Sequence, residues 1–405
     1  MRIAEINMVH FGSTGNIMLQ LAEDARAHGE TVHTYSPMIF HLRRTMLETP
    51  DIPDHDYFGT RMGNLCHRLL TLVTGVTGVY SYFGTKALIR KLKRFAPDVV
   101  HLHNLHNGTV CLPLLFRYLR KNRIKTVWTF HDCWPFTGKC PHFTLAHCDR
   151  WKNGCYHCPQ VRDYPASYVD GSALMYRWKQ RWYADMETLT VVTPSRWLAK
   201  LVEQSFLGHH PIRVIPNGID LTVFTPTESD FRQKYHCEDQ FVLFGSAYVW
   251  SERKGLDVFI ELAGKLPAMF RIVLVGTDPE TDAELPSNII SIPRTGDQKM
   301  LAQIYSTADL FVNPTREEVL GMVNIEALAC GTPVIMFRTG GSPEVIDDSC
   351  GVVVDCDDIG ALEREILRIA KEKPFSEEAC LRRAAEFDMH RHFEEYRVCF
   401  GMTQL

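Results

Sequence analysis

Short apolar runs alternate with segments of helical periodicity along the whole chain, and this pattern predicts alternating strands and helices. Residues 1–10 have the alternation of a strand, the turn-forming cluster 11–16 follows, and residues 17–25 have helical spacing up to Gly29. A strand, a glycine loop and a helix in this order make one βα unit. Further buried strands are predicted at 99–103, 125–130 and 190–193. Ser195 is a good N-cap and is expected to start the helix that follows the last of them.

A second, similar set of runs begins after residues 206–220, a segment that contains proline and glycine. Its strands are predicted at 241–245, 270–276, 288–292, 309–313 and 333–337. Strands that alternate with helices indicate a parallel doubly wound sheet in each half of the chain. We therefore expect an α/β protein with two Rossmann-like domains. We also expect a ligand site in a cleft between them, at the carboxyl ends of the strands.

The same pattern gives the expected domain boundaries. Residues 1–208 form the first domain, with a cysteine-rich insertion at about 133–160, and residues 209–386 form the second. Residues 387–405 have helical spacing and an aromatic stripe, which indicates packing rather than ligand binding. We expect this last helix to cross back and pack on the first domain.

The composition is that of a folded globular protein, with 405 residues of which 45% are hydrophobic and 23% are charged. These values disfavour a disordered chain, a collagen and a coiled coil. The sequence has no apolar stretch of the roughly 18 residues that a membrane-spanning helix needs, and no leader with a cleavage site is visible. We therefore expect a cytoplasmic protein that could act at the inner face of the cell membrane.

The net charge of −4 hides a strong asymmetry between the two halves. Residues 1–200 contain 25 Lys and Arg against 15 Asp and Glu, a balance of +10. The remaining residues contain 19 against 33, a balance of −14. A basic half could meet membrane phosphates, a pyrophosphate-linked substrate or nucleic acid, and an imbalance without any partner is the alternative.

Part of this positive charge lies in residues 61–94, where cations follow an uncharged apolar run at 69–83. The combination fits a helix at a membrane interface, which would bring a lipid-linked acceptor to the first domain. The alternative is that the apolar residues belong to the core. Gly75, Gly78 and Gly84 oppose one long helix in this stretch.

Two glycine-bearing loops are candidates for phosphate binding. Gly12, Gly15 and Asn16 lie between the first strand and the first helix, where glycine allows close approach and a helix start offers N–H groups. A plain βα turn would have the same residues. Arg253 and Lys254 precede a glycine and a helical pattern, and a guanidinium fork beside a compact ammonium suits a diphosphate. A solvated charged loop is the alternative for this pair.

Two glutamates form the most specific pattern in the second half. Glu318 and Glu326 are separated by seven residues and follow a strand that runs into a loop. If a helix starts near Leu320 or Gly321, its first amides, up to Met322, point toward the strand ends and could hold a phosphate. The two carboxylates can accept hydrogen bonds from sugar or ribose hydroxyls.

These motifs together resemble the signature of the family 4 glycosyltransferases, whose GT-B architecture has two Rossmann-like lobes. The resemblance covers nearly the whole chain and depends on Glu318 to Glu326, Ala327-Leu-Ala-Cys-Gly-Thr-Pro-Val334, Gly340-Gly-Ser-Pro-Glu344, Lys254-Gly255, Pro194-Ser-Arg196 and Pro216-Asn-Gly-Ile-Asp220. It implies transfer of a sugar from a UDP-sugar or GDP-sugar, with retention at the anomeric carbon. The implied acceptor is a saccharide or a polyprenyl-diphosphate-linked glycan, and no metal or cofactor is implied in catalysis.

The resemblance also implies roles for residues of the second domain, which would bind the donor. Lys254 and Arg253 would neutralise the diphosphate leaving group, and the amides of Leu320–Met322 would hold its β-phosphate. Glu318 would face the donor sugar and Glu326 the ribose hydroxyls. The less favoured alternative makes Glu318 a covalent nucleophile.

In the first domain the resemblance implies a role for His131, within Thr129-Phe-His-Asp132. Its imidazole would lie near the donor sugar and could donate to a hydroxyl group, while a structural loop histidine is the alternative. Two departures from the family pattern bear on the second domain. Val319 stands where the family often has glycine or proline, and Ser246 stands where it usually has arginine, so that Arg253 would replace the missing cation.

Four cysteines lie within nineteen residues of the first domain, namely Cys140, Cys148, Cys155 and Cys158. Four thiolates can form a closed tetrahedral zinc site; free or disulfide-forming thiols and an iron–sulfur cluster are the alternatives. The insertion resembles a subgroup of family 4 enzymes of bacterial capsule and exopolysaccharide assembly, of the colanic-acid type. Three further histidines, His101, His103 and His106, have a spacing that suits a metal poorly, and we expect them to form a polar edge of the cleft.

Two other classes of function remain open at this point. One is another GT-B activity, such as a sugar-nucleotide epimerase or an inverting transferase. The other is a zinc-stabilised nucleic-acid-binding protein, suggested by the basic half and the cysteines. That class leaves Glu318, Glu326 and the acidic half unexplained, so we do not expect a nucleic-acid partner.

Overall fold

The computed structural model describes residues 1–39, 51–295 and 297–402. The chain divides into two compact units, one formed by Met1–Ile215 with the residues from Phe393 on, and one formed by Pro216–His392. Each unit contains its own parallel β-sheet with helices around it. The predicted α/β class and the two doubly wound Rossmann-like sheets are thereby confirmed.

The described residues of the first unit form a seven-stranded sheet in which every pairing is parallel. Its strands are β1 (Arg2–Ile6), β2 (Thr31–Pro37), β3 (His55–Phe58), β4 (Val99–Leu102), β5 (Lys125–Thr129), β6 (Leu189–Thr193) and β7 (Ile212–Val214). Their spatial order is β3-β2-β1-β4-β5-β6-β7. The helices before the second unit are α1 (Gly12–Ala27), α2 (Arg61–Thr74), α3 (Tyr82–Phe95), α4 (Leu112–Lys121), α5 (Ser172–Tyr183) and α6 (Arg196–Glu203).

The described residues of the second unit form a six-stranded parallel sheet with the order β10-β9-β8-β11-β12-β13. Its strands are β8 (Phe241–Ser246), β9 (Phe270–Thr277), β10 (Ile289–Pro293), β11 (Leu310–Asn313), β12 (Val334–Phe337) and β13 (Gly351–Val354). The helices from Phe231 on are α7 (Phe231–Lys234), α8 (Leu256–Lys265), α9 (Pro279–Glu284), α10 (Gln298–Thr307), α11 (Met322–Ala329), α12 (Ile359–Glu372), α13 (Glu377–Ala384) and α14 (Met389–Phe400).

The apolar runs form strands because both faces of each sheet are covered. Side chains alternate along β8, so that Val242 and Phe244 join one buried cluster while Leu243 joins the other. Helix starts also follow the sequence, since the Ser195 hydroxyl accepts a hydrogen bond of 3.2 Å from the Leu198 amide and caps α6. The predicted N-cap is therefore confirmed.

The last helix returns to the first unit, as the sequence predicts. The Tyr396 hydroxyl lies 3.0 Å from the Thr129 hydroxyl, and the Phe400 ring lies 5.2 Å from the His101 ring. Arg397 forms an ion pair with Asp24 of α1. These contacts explain why the residues from Phe393 on cluster with the first unit.

The basic, apolar stretch 61–94 forms two helices rather than one. Gly75 ends α2 with a φ of +70°, a left-handed conformation that glycine adopts at little cost. No helix in the described ranges is both long enough and apolar enough to cross a membrane.

Candidate active site

In both sheets the strand order along the chain reverses at the first strand, β1 in the first unit and β8 in the second. In the second unit β8 lies between β9 and β11, so the chain leaves two adjacent strands toward opposite faces of the sheet. The loops after such strands form a crevice at the carboxyl ends, which is the usual ligand position in open α/β sheets. Lys254 follows β8 and Glu318 follows β11, so both lie in the loops at this position.

The structure brings Lys254 and Glu318 into direct contact. The Nζ atom of Lys254 donates a hydrogen bond of 2.8 Å to Oε2 of Glu318, and the side chains are 21% and 23% exposed. A pair that still reaches solvent contributes at most about 1 kcal/mol to stability. The two charged groups therefore remain accessible to a ligand and are not explained by their contribution to the fold.

Close backbone packing fixes the position of Glu318. A Cβ atom on Gly340 would lie 1.6 Å from the Glu318 carbonyl oxygen, and the φ of Gly340 is +53°. Gly321, with a φ of +81°, precedes α11, and a Cβ atom there would lie 3.4 Å from Cγ of Glu318 and 3.1 Å from Oγ of Ser342. Glu318 therefore lies at the amino end of α11, where the helix dipole is positive.

Ser342 adds a polar group to this end of the helix. The residue is 2% exposed, and its hydroxyl has no hydrogen-bond partner among the residues that the structure describes. Buried hydroxyls normally have a partner, so an unpartnered one next to a helix amino end fits an anion site. From the sequence alone, Ser342 belongs to a motif but has no assigned role.

Two arginines near the site differ in their use. Arg316 is buried and forms a bidentate pair with Asp257, at 2.7 and 2.8 Å, and a second pair with Asp357 at 2.7 Å. It therefore holds the loops together. Arg253 is half-buried; its guanidinium lies 3.5 Å from the Glu317 carbonyl oxygen, and its own carbonyl accepts from the Arg316 amide. Arg253 thus lies beside the Lys254–Glu318 pair, and its role at a diphosphate stays a prediction.

Glu326 lies on α11, with its Oε2 atom 2.9 Å from the hydroxyl of Tyr305, which donates the hydrogen bond. Burial raises the pKa of Glu326 to about 7, although the bond from Tyr305 acts in the opposite direction. Tyr305 is fully buried and is a partner that the sequence alone does not reveal. The carboxyl group is therefore held in one orientation and close to its midpoint of ionisation at neutral pH.

In the first unit, the candidate phosphate loop is a tight strand-to-helix turn. Gly12 starts α1 with a φ of +69°, and a Cβ atom on Gly15 would lie 2.6 Å from the His10 carbonyl carbon, so the loop closes on the helix. The side chain of Asn7 donates a hydrogen bond of 3.2 Å to the Thr14 hydroxyl and joins the turn to β1. Asn16 is exposed.

His131 follows β5 at the carboxyl edge of the first sheet. Its Nε2 atom lies 3.0 Å from Nδ1 of His103, and Nε2 of His103 lies 2.9 Å from Oε2 of Glu5. His101 also contacts this carboxylate, through Nδ1 at 2.8 Å. Glu5, on β1, is a member of this group that sequence reasoning missed, because nothing in its alternating strand pattern marks it.

The expectation that the three neighbouring histidines form a polar edge is wrong. His101 and His103 are fully buried, and His106 is buried with Nε2 3.0 Å from Asp132. Donor atoms of Glu5, His101 and His103 lie within 4.8 Å of one another. Ligands of a tetrahedral zinc ion lie about 3.3 Å apart. The Glu5 carboxylate lies closer than this to both rings, at 2.9 Å in a hydrogen bond with His103 and at 2.8 Å in an ion-pair contact with His101.

The four cysteines lie in one segment but do not form a compact cage. Burial, together with the thiols of Cys158, Cys155 and Cys148, raises the pKa of Cys140 to about 12. A tetrahedral zinc site places sulfur atoms about 3.8 Å apart. Within the described ranges, no three of these sulfurs lie within 4.8 Å of one another. Zinc at this segment therefore remains a prediction.

The two doubly wound domains have the GT-B architecture, and a cation, a carboxylate and a helix amino end meet at the carboxyl ends of β8 and β11. Two family models match the chain: "Glycosyltransferase Family 4" over residues 15–223 and "Glycosyl transferases group 1" over residues 238–372. The chain belongs to glycosyltransferase family 4.

Individual relatives and solved structures agree with this assignment. The chain is 26% identical over 293 residues to an Escherichia coli protein described as a putative colanic acid biosynthesis glycosyl transferase, WcaC, covering 70% of this chain and 69% of that one. It is 29% identical over 195 residues to the D-inositol 3-phosphate glycosyltransferase of Mycolicibacterium smegmatis, covering 44% of each.

Two solved structures have the same fold. Sucrose-phosphate synthase of Thermosynechococcus elongatus has a TM-score of 0.67 at 19% identity, with 99% of this chain and 100% of that chain covered. Anabaena HepE in complex with UDP-glucose has a TM-score of 0.68 at 16% identity, with both chains covered fully. At these identities the likeness establishes the fold alone.

The raised pKa of Glu326 predicts a specific pH dependence of stability. A carboxyl group whose pKa is about 7 in the folded state, against an ordinary value of 4.5, binds more protons when folded. The free energy of unfolding should therefore fall as the pH rises from 4.5 through 7, by at most about 3 kcal/mol from this group. Glu326→Gln should remove this contribution, so that its free energy of unfolding falls less between pH 4.5 and 7 than that of the wild type. Urea unfolding of both proteins at several pH values measures the two dependences, and an equal fall in both proteins would contradict the prediction.

Proposed function

We propose that the enzyme transfers a sugar from a nucleoside-diphosphate sugar with retention of anomeric configuration, and that the second unit binds the donor. The observation that carries this proposal is the Lys254–Glu318 contact at the amino end of α11. A cation, helix amides and the buried Ser342 hydroxyl converge there, and all of them favour an anionic group. The structural likeness to HepE, which was solved with UDP-glucose, supports a donor of this class.

In this mechanism the chain stabilises the departing diphosphate. As the glycosidic bond breaks, negative charge grows on the β-phosphate, and Lys254, Arg253 and the amides of Leu320–Met322 neutralise it. Fixed cations and a helix dipole supply this positive charge without reorganising. An oxygen of the leaving phosphate takes the proton of the attacking acceptor hydroxyl on the same face, which retains the configuration.

The two glutamates then orient the donor. Glu318 is held by Lys254 and by the Val319 amide at 3.1 Å, so it serves better as an acceptor for sugar hydroxyls than as a covalent nucleophile. Glu326, held by Tyr305, accepts from the ribose hydroxyls. In the first unit, Gly12, Gly15 and Asn16 would contact the donor from a second loop, and His131 its sugar.

The nucleotide base would lie near Pro293–Thr295. There the guanidinium of Arg294 stacks 3.6 Å from the ring centre of the exposed Tyr248 and donates to its carbonyl oxygen at 2.9 Å. A planar stack of this kind can support a base of either ring size. The Arg294–Tyr248 stack therefore does not distinguish a UDP-sugar from a GDP-sugar.

The acceptor would be a saccharide or a polyprenyl-diphosphate-linked glycan of a bacterial surface polysaccharide, of capsule or exopolysaccharide type. The relation to a protein described as a putative colanic acid biosynthesis enzyme supports this. Family membership favours retaining transfer over an epimerase, an inverting transferase or a nucleic-acid-binding protein. The first unit would bind this acceptor in the cytoplasm, at the inner face of the membrane.

Lys254→Ala tests the donor site. Turnover should fall about 100-fold to 1,000-fold, because one fixed donor to the developing charge is lost, while the melting temperature should change little. Release of nucleoside diphosphate from a panel of UDP- and GDP-sugars measures turnover and also identifies the donor. Lys265→Ala removes an exposed lysine that pairs with Glu261 on α8 and is the matched control. Wild-type turnover in the Lys254 variant would remove this residue from the mechanism.

A membrane contact of the first unit is supported by the arrangement of side chains on α2. In an ordinary surface helix the apolar side is buried, whereas in α2 the polar side is buried and the apolar side is exposed. Its buried side is polar, because Asn64, His67 and Thr71 face the protein. Nε2 of His67 accepts from the Gly78 amide at 2.9 Å, and Asn64 donates to the carbonyl of Gly108 at 3.1 Å. These bonds fix which side of the helix faces inward.

The outward side of α2 is apolar. Leu69, Leu70 and Val73 are 53%, 41% and 57% exposed, and Phe83 at the start of α3 is 82% exposed. The alternative that the apolar residues of this stretch belong to the core is therefore wrong for Leu69, Leu70 and Val73, while it holds for Val76, which is buried. Residues 61–97 contain seven Lys and Arg and no Asp or Glu. An apolar face surrounded by cations fits the surface of an anionic bilayer.

Vesicle flotation tests this contact. The protein should float with vesicles that contain phosphatidylglycerol, and a smaller fraction should float with vesicles of pure phosphatidylcholine. The reason is that attraction between the cations and the anionic lipid adds to the binding free energy from burying the apolar face. Leu69→Ser with Val73→Ser should weaken flotation at least about tenfold without loss of stability. Leu367→Ser removes an exposed leucine of α12, 38% exposed, as the matched control. Equal flotation of the α2 variant and the wild type would contradict the contact.

Structural zinc is the remaining prediction for the cysteine segment. It is supported by four thiols within one segment, and the distances between their sulfurs oppose it. Metal analysis of protein purified without chelator should give one zinc ion per chain. Cys155→Ser should lose the ion and lower the melting temperature, whereas Cys66→Ser, exposed on α2, should do neither. Metal-free wild-type protein with an unchanged melting temperature in Cys155→Ser would make the zinc prediction wrong.

A further inference from the structure

A continuous line of hydrogen-bonding groups runs from the interior of the first unit to His131. Glu5 on β1 contacts His103 after β4 at 2.9 Å, and His103 contacts His131 after β5 at 3.0 Å. Glu5 and His103 are at most 1% exposed, while His131 is half-buried. The line therefore begins at a buried carboxylate and ends at the residue that the proposed function places beside the sugar.

The far side of Glu5 is also fixed. His101 contacts the same carboxylate oxygen at 2.8 Å, and its other ring nitrogen lies 2.8 Å from the Thr129 hydroxyl. Thr129 in turn contacts the Tyr396 hydroxyl at 3.0 Å. Glu5 is thus held from two sides and has little freedom to turn away from His103.

The protons along this line have one consistent arrangement. Burial alone would raise the pKa of Glu5, but the charge of His101 and the hydrogen bonds from His101 and His103 lower it to about 2. An ionised carboxylate only accepts hydrogen bonds, so Nε2 of His103 carries a proton. Burial and repulsion from His101 lower the pKa of His103 to about 4 in spite of Glu5, so its Nδ1 carries none at neutral pH.

It follows that Nε2 of His131 is the donor to His103. Burial lowers the pKa of His131 well below its usual value, so the ring is neutral and its single proton is at Nε2. Nδ1 of His131 is then a bare acceptor. In the described part of the chain no residue donates a hydrogen bond to it.

We propose that Glu5 and His103 are positioning residues that fix His131 as its Nε2–H tautomer, so that Nδ1 accepts a hydrogen bond from a hydroxyl group of the sugar substrate. This rests on the proposed function, which places a sugar beside His131. It reverses the expectation that the imidazole donates to the sugar. An acceptor at this position favours a sugar with a hydroxyl group that can donate its hydrogen to Nδ1. A deoxy sugar that lacks this hydroxyl group cannot make the bond.

The test reads the tautomer directly. Long-range ¹⁵N spectra of protein labelled at histidine distinguish protonated from bare ring nitrogens, and His131→Gln assigns the signals of His131. The wild type should show a proton at Nε2 and none at Nδ1. In Glu5→Gln the amide can donate as well as accept, so the Nδ1–H form of His131 should become populated. Sugar transfer should fall about tenfold, the value of one substrate hydrogen bond.

His67→Gln is the matched control, because it removes another fully buried histidine, on α2, that lies outside the line from Glu5 to His131. It should lower stability and leave the His131 tautomer unchanged. A proton on Nδ1 in the wild type, or an unchanged tautomer in Glu5→Gln, would overturn the proposal. The wild-type spectrum decides the matter even if Glu5→Gln does not fold. Absence of transfer from every nucleotide sugar would instead count against the proposed function, since the spectrum is read without substrate.

Discussion

Strand order in the second sheet determines where charge can be concentrated in this enzyme. Because β8 and β11 are neighbours whose following helices lie on opposite faces, their loops leave adjacent points of the sheet and diverge. Lys254 and Glu318 come from these two loops, and they meet although 63 residues separate them in the chain. The close approach of Gly340 to the Glu318 carbonyl holds the second loop in place. The Lys254–Glu318 pair, which forms the proposed donor site, therefore depends on topology first and on side-chain chemistry second.

Much of the fold could be predicted from the pattern of apolar runs. The strands at the centres of both sheets are apolar because both of their faces are covered, and β4, β5, β8, β9 and β11 all begin within one residue of the expected position. The edge strand β3 was missed, because His55–Phe58 is short and polar and pairs on one side only. The strand β13 was missed as well. Like β3 it lies at the edge of its sheet and pairs on one side only, and its two central residues are half-buried.

Residues of the candidate site could be predicted from the sequence where their type is unusual for their position. They could not be predicted where their role depends on a contact that only the folded chain makes. Adjacent cations before a glycine and two spaced glutamates indicate Lys254, Glu318 and Glu326. The partner Tyr305 comes from α10, and nothing in that helix distinguishes it from core. The polarity of α2 was ambiguous for a similar reason. A helix pattern shows that two faces differ, but only the hydrogen bonds of Asn64 and His67 show which face is inside.

The cost of burying polar groups raises the question of why the line from Glu5 through His103 to His131 lies inside the first unit. Placing a carboxylate and two imidazoles in a fully buried position costs desolvation energy, which their mutual contacts only offset. Apolar residues of similar volume would fill the same space with at least equal stability, so packing alone does not account for Glu5, His101 and His103. What an apolar core cannot do is set the direction of a hydrogen bond. A fixed carboxylate can do so by acting through one ring on another. It brings no charge to the surface, because Glu5 and His103 are fully buried and only the neutral His131 ring at the end of the line is partly exposed.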